Sequence, residues 1–326
     1  MSKKSYLVIL TLALCMFTGS AALAAAPIVI DGTSGGGTGI VPGLVCGNGT
    51  PPDGEIPATW PDDVTGCSVI VNSGGTVNAN VYGGFAQGAT ATATENSVTM
   101  NGGGVNADIY GAYANGNLND AFATDNTVSI RVGSADCFTI YGGYAYSVSG
   151  NAFATDNIVS ISGNPTFNAS ETIIYGGLAD ALIGTSDGFT GNRLEIKTEV
   201  SVKQIRSFEY MDFYLPSDAT DGDTMLNVIL ETDLSNVIIN LEFDGDAPSL
   251  VVGDVITLID IVAPGTFTSK NVTISGFTFA LSEDGGALVA KLTAMPITAK
   301  KGGGGCNGFA FSLGLLSLFV PVVLKR

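Results

Sequence analysis

The sequence of 326 residues contains no histidine and a single tryptophan. Without histidine there is no Ser-His-Asp or Cys-His catalytic machinery and no His-ligated zinc or haem. Positive charge is scarce as well, with 13 basic against 30 acidic side chains and a net charge of -17. That balance argues against nucleic-acid binding, which depends on neutralising phosphates. The scarcity is uneven. All acids lie between Ala25 and Ala299, where the only bases are Arg131, Arg193, Lys197, Lys203, Arg206, Lys270 and Lys291. Thirty acids against these seven bases give the body a charge of -23. Lys3, Lys4, Lys300, Lys301, Lys325 and Arg326 sit at the two ends, beside the long apolar runs. What is plentiful is glycine, with 44 residues, about twice the usual share.

The N-terminal end has the order of a secretory signal, residues 1–24. Lys3 and Lys4 form the positive region, Tyr6 to Phe17 the apolar region, and Ala22-Leu23-Ala24 the small-residue cleavage pattern. The apolar run is shorter than the ~20 residues a membrane span needs. The C-terminal end is built differently. A Gly-rich linker, residues 296–308, carries Gly302 to Gly305 and then Cys306-Asn307-Gly308. An almost wholly apolar stretch, Phe309 to Leu324, precedes Lys325-Arg326, so that 309–326 predicts a transmembrane segment with a basic cytoplasmic tail. This order of Gly-Cys motif, apolar span and basic tail resembles the Synergist-type (Synergist-CTERM) C-terminal sorting domain of bacterial surface proteins. The resemblance covers about 25 residues and implies a membrane-embedded sorting protease that cuts near Cys306. It also implies Cys306 as a lipid-anchor position. The membrane is thus an expected partner, and the body is expected to be exported to the cell surface or outer envelope.

Cysteine usage agrees with export. Cys46 and Cys67 bracket a Pro/Gly/Asp-rich loop within the loop-rich segment 25–67, and a disulfide between them would contribute roughly 3 kcal/mol. Cys137 then reads as a small buried residue.

Residues 68–198 contain an internal repeat. Tyr82-Gly83-Gly84-Phe85, Tyr110-Gly111-Ala112-Tyr113, Tyr141-Gly142-Gly143-Tyr144 and Tyr175-Gly176-Gly177-Leu178 recur at 28, 31 and 34 residues. Each is followed by a second motif, at Asn96-Ser97-Val98, Asn126-Thr127-Val128, Asn157-Ile158-Val159 and Asn192-Arg193-Leu194. The local period is two, so the units are strands, with Asn and Val on the inner face. One unit cannot bury its apolar face alone, but stacked coils can. The repeat therefore predicts an all-β fold, a right-handed parallel β-helix or β-solenoid. A β-propeller is the alternative, though its blades need about 40 residues. An inward Asn at each corner is expected to bond the Asn above it. Parity does not decide whether Tyr110 or Tyr113 points inward.

Residues 199–295 predict a β capping region, with Gly285-Gly286 as a hairpin turn. The FYLP, GDTML, TDLS and VGDVITLI segments resemble the C-terminal part of autotransporter-type passenger domains. The YGG and Asn-x-Val repeats resemble those of autotransporter-like adhesins. Together the resemblance covers most of Val69 to Leu292 and implies a passenger-like β-helix. The membrane barrel of that family is missing from this sequence, and the sorting tail stands in its place.

Candidate chemistry is sparse. Asp218, Asp221 and Asp223 are closely spaced carboxylates on a turn, the donor type calcium takes, without the flanking pattern of an EF-hand. Otherwise no cofactor and no catalytic residue is indicated. Asp125 and Asp156 occupy equivalent repeat positions and read as turn formers beside the inward Asn. The tyrosine column offers either packing or a stacking platform for glycan rings. The leading expectation is a surface-anchored, non-enzymatic solenoid with an adhesive or structural role, its partner a glycan or protein of a host or cell surface. A carbohydrate-active β-helix enzyme and a glycan- or ion-binding envelope protein are the alternatives.

Overall fold

The computed structural model describes residues 26–34, 39–41, 43–48 and 60–296, and among them every long element is a strand. Three parallel sheets run along the molecule as the walls of a β-solenoid. The first motif forms one wall of six strands: Val45–Cys46, Val81–Gly88, Ile109–Gly116, Thr139–Ser147, Ile173–Ala181 and Gln204–Arg206. The Ala-rich stretches form a second wall through Ala91–Thr94, Ala121–Thr124 and Ala152–Phe153. The second motif forms the third wall through Ser97–Val105, Thr127–Ala135, Ile158–Phe167 and Arg193–Ile196. The predicted register holds residue for residue. Tyr110 pairs with Tyr82 and Tyr141, and Val128 with Val98 and Val159. This is a solenoid and not a propeller.

The third wall extends beyond the recognisable repeat in both directions. Ile28–Ile30 pairs in parallel with Val69 to Val71, and Tyr210–Pro216 and Ile238–Asp244 continue the ladder past Arg193–Ile196. Coiling therefore begins inside the segment that composition marks as loop and continues into the region marked as a cap. A fourth sheet closes the far end. Its strands Val200–Val202, Thr224–Val228 and Val255–Ile259 are still parallel. An antiparallel meander of Lys270–Ile274, Phe277–Asp284 and Ala287–Ala294 then ends the stack. Its last turn is Gly285-Gly286, both at positive φ, as a tight hairpin requires.

Two kinds of ladder pinch the coil into two lobes. Val98, Met100, Ile109, Val128, Ile130 and Ile140 fill one lobe, and alanines such as Ala86, Ala93, Ala114, Ala123 and Ala154 fill the other. Between them stands the column Asn96, Asn126, Asn157 and Asn192, all at most 1% exposed. Each Asn backbone N–H in the first three donates to the Oδ1 of the next, at 2.9, 3.1 and 2.9 Å. Each Nδ2 also donates to a backbone carbonyl of the alanine wall or the strand before it, Val64, Ala93, Ala123 and Ala154 in turn. The buried amides are thereby satisfied at each step. The residue before each Asn turns the corner in the left-handed region: Glu95 at 56°, Asp125 at 59°, Asp156 at 59° and Gly191 at 72°. Asp tolerates that conformation better than most residues, which accounts for the repeated Asp-Asn pair.

Opposite the Asn column runs a glycine column, Gly83, Gly111, Gly142 and Gly176. A Cβ on any of them would collide with the carbonyl oxygen of the equivalent residue in the next coil. At Gly142 it would also stand 2.9 Å from the Cβ of Asn157. Close approach of two backbones, rather than φ, fixes glycine here.

Candidate binding surfaces

The Gly bend shifts the side-chain parity of the first wall. Ile109 packs in the apolar lobe and Ala112 in the alanine lobe, whereas Tyr110 and Tyr113 share an outer cluster with Trp60, Tyr82 and Phe85. Both tyrosines therefore face outward, which resolves the parity question in favour of neither. Two aromatic columns result. Tyr82, Tyr110, Tyr141 and Tyr175 stack at centroid distances of 4.6, 4.8 and 5.3 Å, with planes within 16°. Phe85, Tyr113 and Tyr144 form the second column at 5.0 and 4.9 Å, and Trp60 covers Phe85 at 4.6 Å.

This geometry bears on the glycan-platform reading. A sugar ring stacks on the face of an aromatic ring. In the first column each inner ring has both faces turned to its neighbours, and Tyr82 and Tyr110 are only 7% and 8% exposed. The column thus works first as an outer staple that holds successive coils in register. Burial raises the phenol pKa of Tyr82, Tyr110 and Tyr141 in this column, and that of Tyr113 and Tyr144 in the second column to about 12. The Tyr110 hydroxyl donates to Asp108 at 3.4 Å, and partial burial raises the Asp108 carboxyl above its usual range.

A second outer cluster lies on the third wall, where the repeat fades. Arg193 pairs with Asp212, a carboxylate only 5% exposed that also accepts from Asn240 Nδ2 at 2.7 Å. Glu195 accepts from Ser160 Oγ at 2.9 Å and pairs with Lys197 at 3.2 Å. The two cations lie over tyrosine rings, Arg193 over Tyr210 at 4.7 Å and Lys197 over Tyr214 at 4.6 Å. Glu195 and Asp212 are register partners on adjacent strands, and both ion pairs found among the described residues lie here. Both Asp212 oxygens and Glu195 Oε2 have protein partners, so the arrangement ties four neighbouring strands together. Nothing in the sequence repeat signals it; the Arg-x-Glu-x-Lys and Tyr-x-Asp-x-Tyr alternations become partners only through register.

The residues singled out in the sequence are placed as follows. Asp218, Asp221 and Asp223 are all exposed. The Asp223 carboxylate accepts from Thr220 N–H and Oγ1, and Asp221 accepts from the Val255 N–H at 2.8 Å. Among the described residues no group of three or more ligand-type side chains is arranged to hold a metal ion. Cys46 is buried in the outer aromatic cluster and Cys67 in the alanine lobe. Gly47 lies between them, its Cβ position 3.2 Å from that of Cys67. By register, Cys46 takes the place of the column tyrosine and Cys67 that of the ladder asparagine in the first coil. Cys137 is 1% exposed, and burial pushes its thiol up to about 12, a poor nucleophile. Arg131 is exposed on the outer face of its strand. Residues 1–24 and Cys306 with the apolar run 309–324 lie outside the described residues. Among the described residues no helix is long and apolar enough to cross a membrane.

Comparison of the chain with protein-family models, with curated proteins and with solved structures finds no match in any of the three.

Proposed function

We propose that the chain is an exported bacterial protein, anchored at the cell surface through its C-terminal end, whose solenoid serves an adhesive or structural role. The observation that carries this reading is the pairing of an elongating, ladder-stabilised β-solenoid with a sequence that places it between two basic, apolar ends. A solenoid of stacked coils offers long, rigid outer walls, the kind of surface on which extended partners are bound. The body charge of -23 keeps such a surface soluble and repels polyanions. The sorting motif at Cys306 supplies the anchoring step, with a membrane-embedded protease as partner and a lipid on Cys306 as the attachment chemistry.

The test is cell fractionation with surface proteolysis on intact cells. External protease is expected to remove the body from cells that carry the wild-type chain. Cys306→Ala is expected to release the body into the medium or leave it unprocessed in the inner membrane. A body protected inside intact cells, or surface retention unchanged by Cys306→Ala, would sink the reading.

A further inference from the structure

The turns that lead from the first wall to the second carry the most exposed large apolar side chains among the described residues: Leu118, Leu182 and Ile183, at 66, 62 and 67%. Val148 stands half-buried in the turn between them. Backbone bonds tie successive turns together. The Leu118 N–H donates to the Ala89 carbonyl at 3.2 Å, Val148 to Gly116 at 3.0 Å and Leu182 to Ser147 at 3.0 Å. The apolar side chains therefore form a row along the stack. Asp120 is the one charged residue in these turns, and its carboxylate accepts from the Asn151 N–H and Nδ2 at 2.7 and 3.2 Å.

The opposite border of the second wall has the reverse character. There Glu95, Asp125 and Asp156 turn the corner, all exposed, and neither ion pair among the described residues involves them. Their N–H groups donate to Thr124, Thr155 and Thr190 of the following coils, so the carboxylates also form a row, one per coil. Between the two rows the outer face is uncharged. Its strand alternation turns the alanines inward and leaves Thr92, Phe122 and Phe153 beside Thr94, Thr124 and Thr155. Phe122 and Phe153 stack at 5.4 Å.

A wall with an apolar border, an uncharged floor and an anionic border matches a partner that is apolar along one edge and cationic along the other. The dimensions favour a helix. Four strand residues span about 13 Å, enough to seat a helix of about 10 Å diameter. Coils repeat every ~4.8 Å, close to the ~5.4 Å of a helical turn, so one cation per turn meets one carboxylate per coil. An extended strand repeats each face only every ~6.7 Å and loses that match. A second copy of the chain fits poorly, because it would bring up the same row of carboxylates. We propose that the second wall is the docking surface for a cationic amphipathic helix of a partner protein. The helix lies along the stack, its basic edge on Glu95, Asp125 and Asp156 and its apolar edge on Leu118, Val148 and Leu182. The inference goes beyond the anchoring proposal and does not depend on it, since it concerns the folded body alone.

The experiment titrates the full-length protein in neutral-detergent micelles with fluorescent helical peptides of about four turns, with protein-free micelles as the blank. One peptide carries lysine on each turn of one edge and leucine along the other. In a second the lysines are glutamates, and a third scrambles the first. The lysine–leucine peptide is expected to bind, with each of the others weaker by about tenfold or more, as several exposed ion pairs acting together supply. Glu95→Gln, Asp125→Asn and Asp156→Asn combined are expected to cost about tenfold and to flatten the salt dependence. Asn tolerates the left-handed corner as Asp does, so the turns are kept. Leu118→Ser, Leu182→Ser and Ile183→Ser combined are expected to cost as much, with the salt dependence retained. All six side chains are exposed, and circular dichroism checks that the variants keep the β fold. Equal binding of the three peptides, no binding of the lysine–leucine peptide, or unchanged affinity in the folded variants would each overturn the proposal. So would a wild-type dimer in sedimentation, or flotation with phosphatidylcholine vesicles, that the serine variant abolishes, since the face would then belong to that occupant.

Discussion

The early coils and the late coils hold their strands together by different chemistry. From Val81 to Asn192 the continuous columns between coils join like to like: Asn on Asn, Tyr on Tyr, and glycine facing glycine backbone. From Arg193 to Asp244 they join unlike partners, with Arg193 on Asp212, Lys197 on Tyr214 and Asn240 on Asp212. Like-to-like ladders need the same residue in every coil and can be extended by duplication. Unlike pairs need each partner only once, so they suit the last turns before the antiparallel cap, where no further coil follows. The early coils also carry almost no cations, so they hold together without ion pairing.

Three substitutions probe this difference, and they are expected to fall in order of severity. Gly142→Ala is the most severe, because the new methyl meets backbone and Asn157 on both sides and neither can move without its ladder. A loss of more than about 4 kcal/mol is expected, measured by chemical denaturation, or a chain that fails to fold. Asn157→Ala comes next. It removes the acceptor of the Asn126 N–H and one of the two acceptors of Asn126 Nδ2, and takes the Asn157 donor from the Ala123 carbonyl, and about 3 kcal/mol is expected to be lost, at ~1–3 kcal/mol per buried group left unpaired. This loss should be insensitive to salt. Asp212→Asn is the mildest, about 1 kcal/mol, because Arg193 keeps a third of its side chain in solvent. Its cost should shrink as salt is raised. A salt-dependent Asn157→Ala, or an Asp212→Asn more damaging than it, would erase the distinction between the two regions.

Much of the fold could be read in the residue order because identical ladders leave a repeat. The spacing of Tyr82, Tyr110, Tyr141 and Tyr175 predicts stacked coils, and the alternation in Asn96-Ser97-Val98 predicts which face is buried. The coils at Ile28–Ile30, Tyr210–Pro216 and Ile238–Asp244 could not be read this way. They keep the register and the buried alternation, yet share no motif with the repeats. The outward direction of both Tyr110 and Tyr113 escaped as well, since a bend at Gly111 breaks the period-two rule at the point where it is needed.

By itself the sequence determined that the chain stacks into a parallel β-solenoid, with asparagine inside, glycine at the close approach and an acidic body between basic ends. Composition and period suffice for that, because burying a ladder requires the same residue type in every coil. Only the tertiary structure decided that the tyrosine faces cover one another and that Arg193 meets Asp212. The Arg193–Asp212 contact joins unlike residues 19 positions apart. Their pairing depends on the length of each coil, and coil length is fixed by how the turns pack rather than by any residue in the pair.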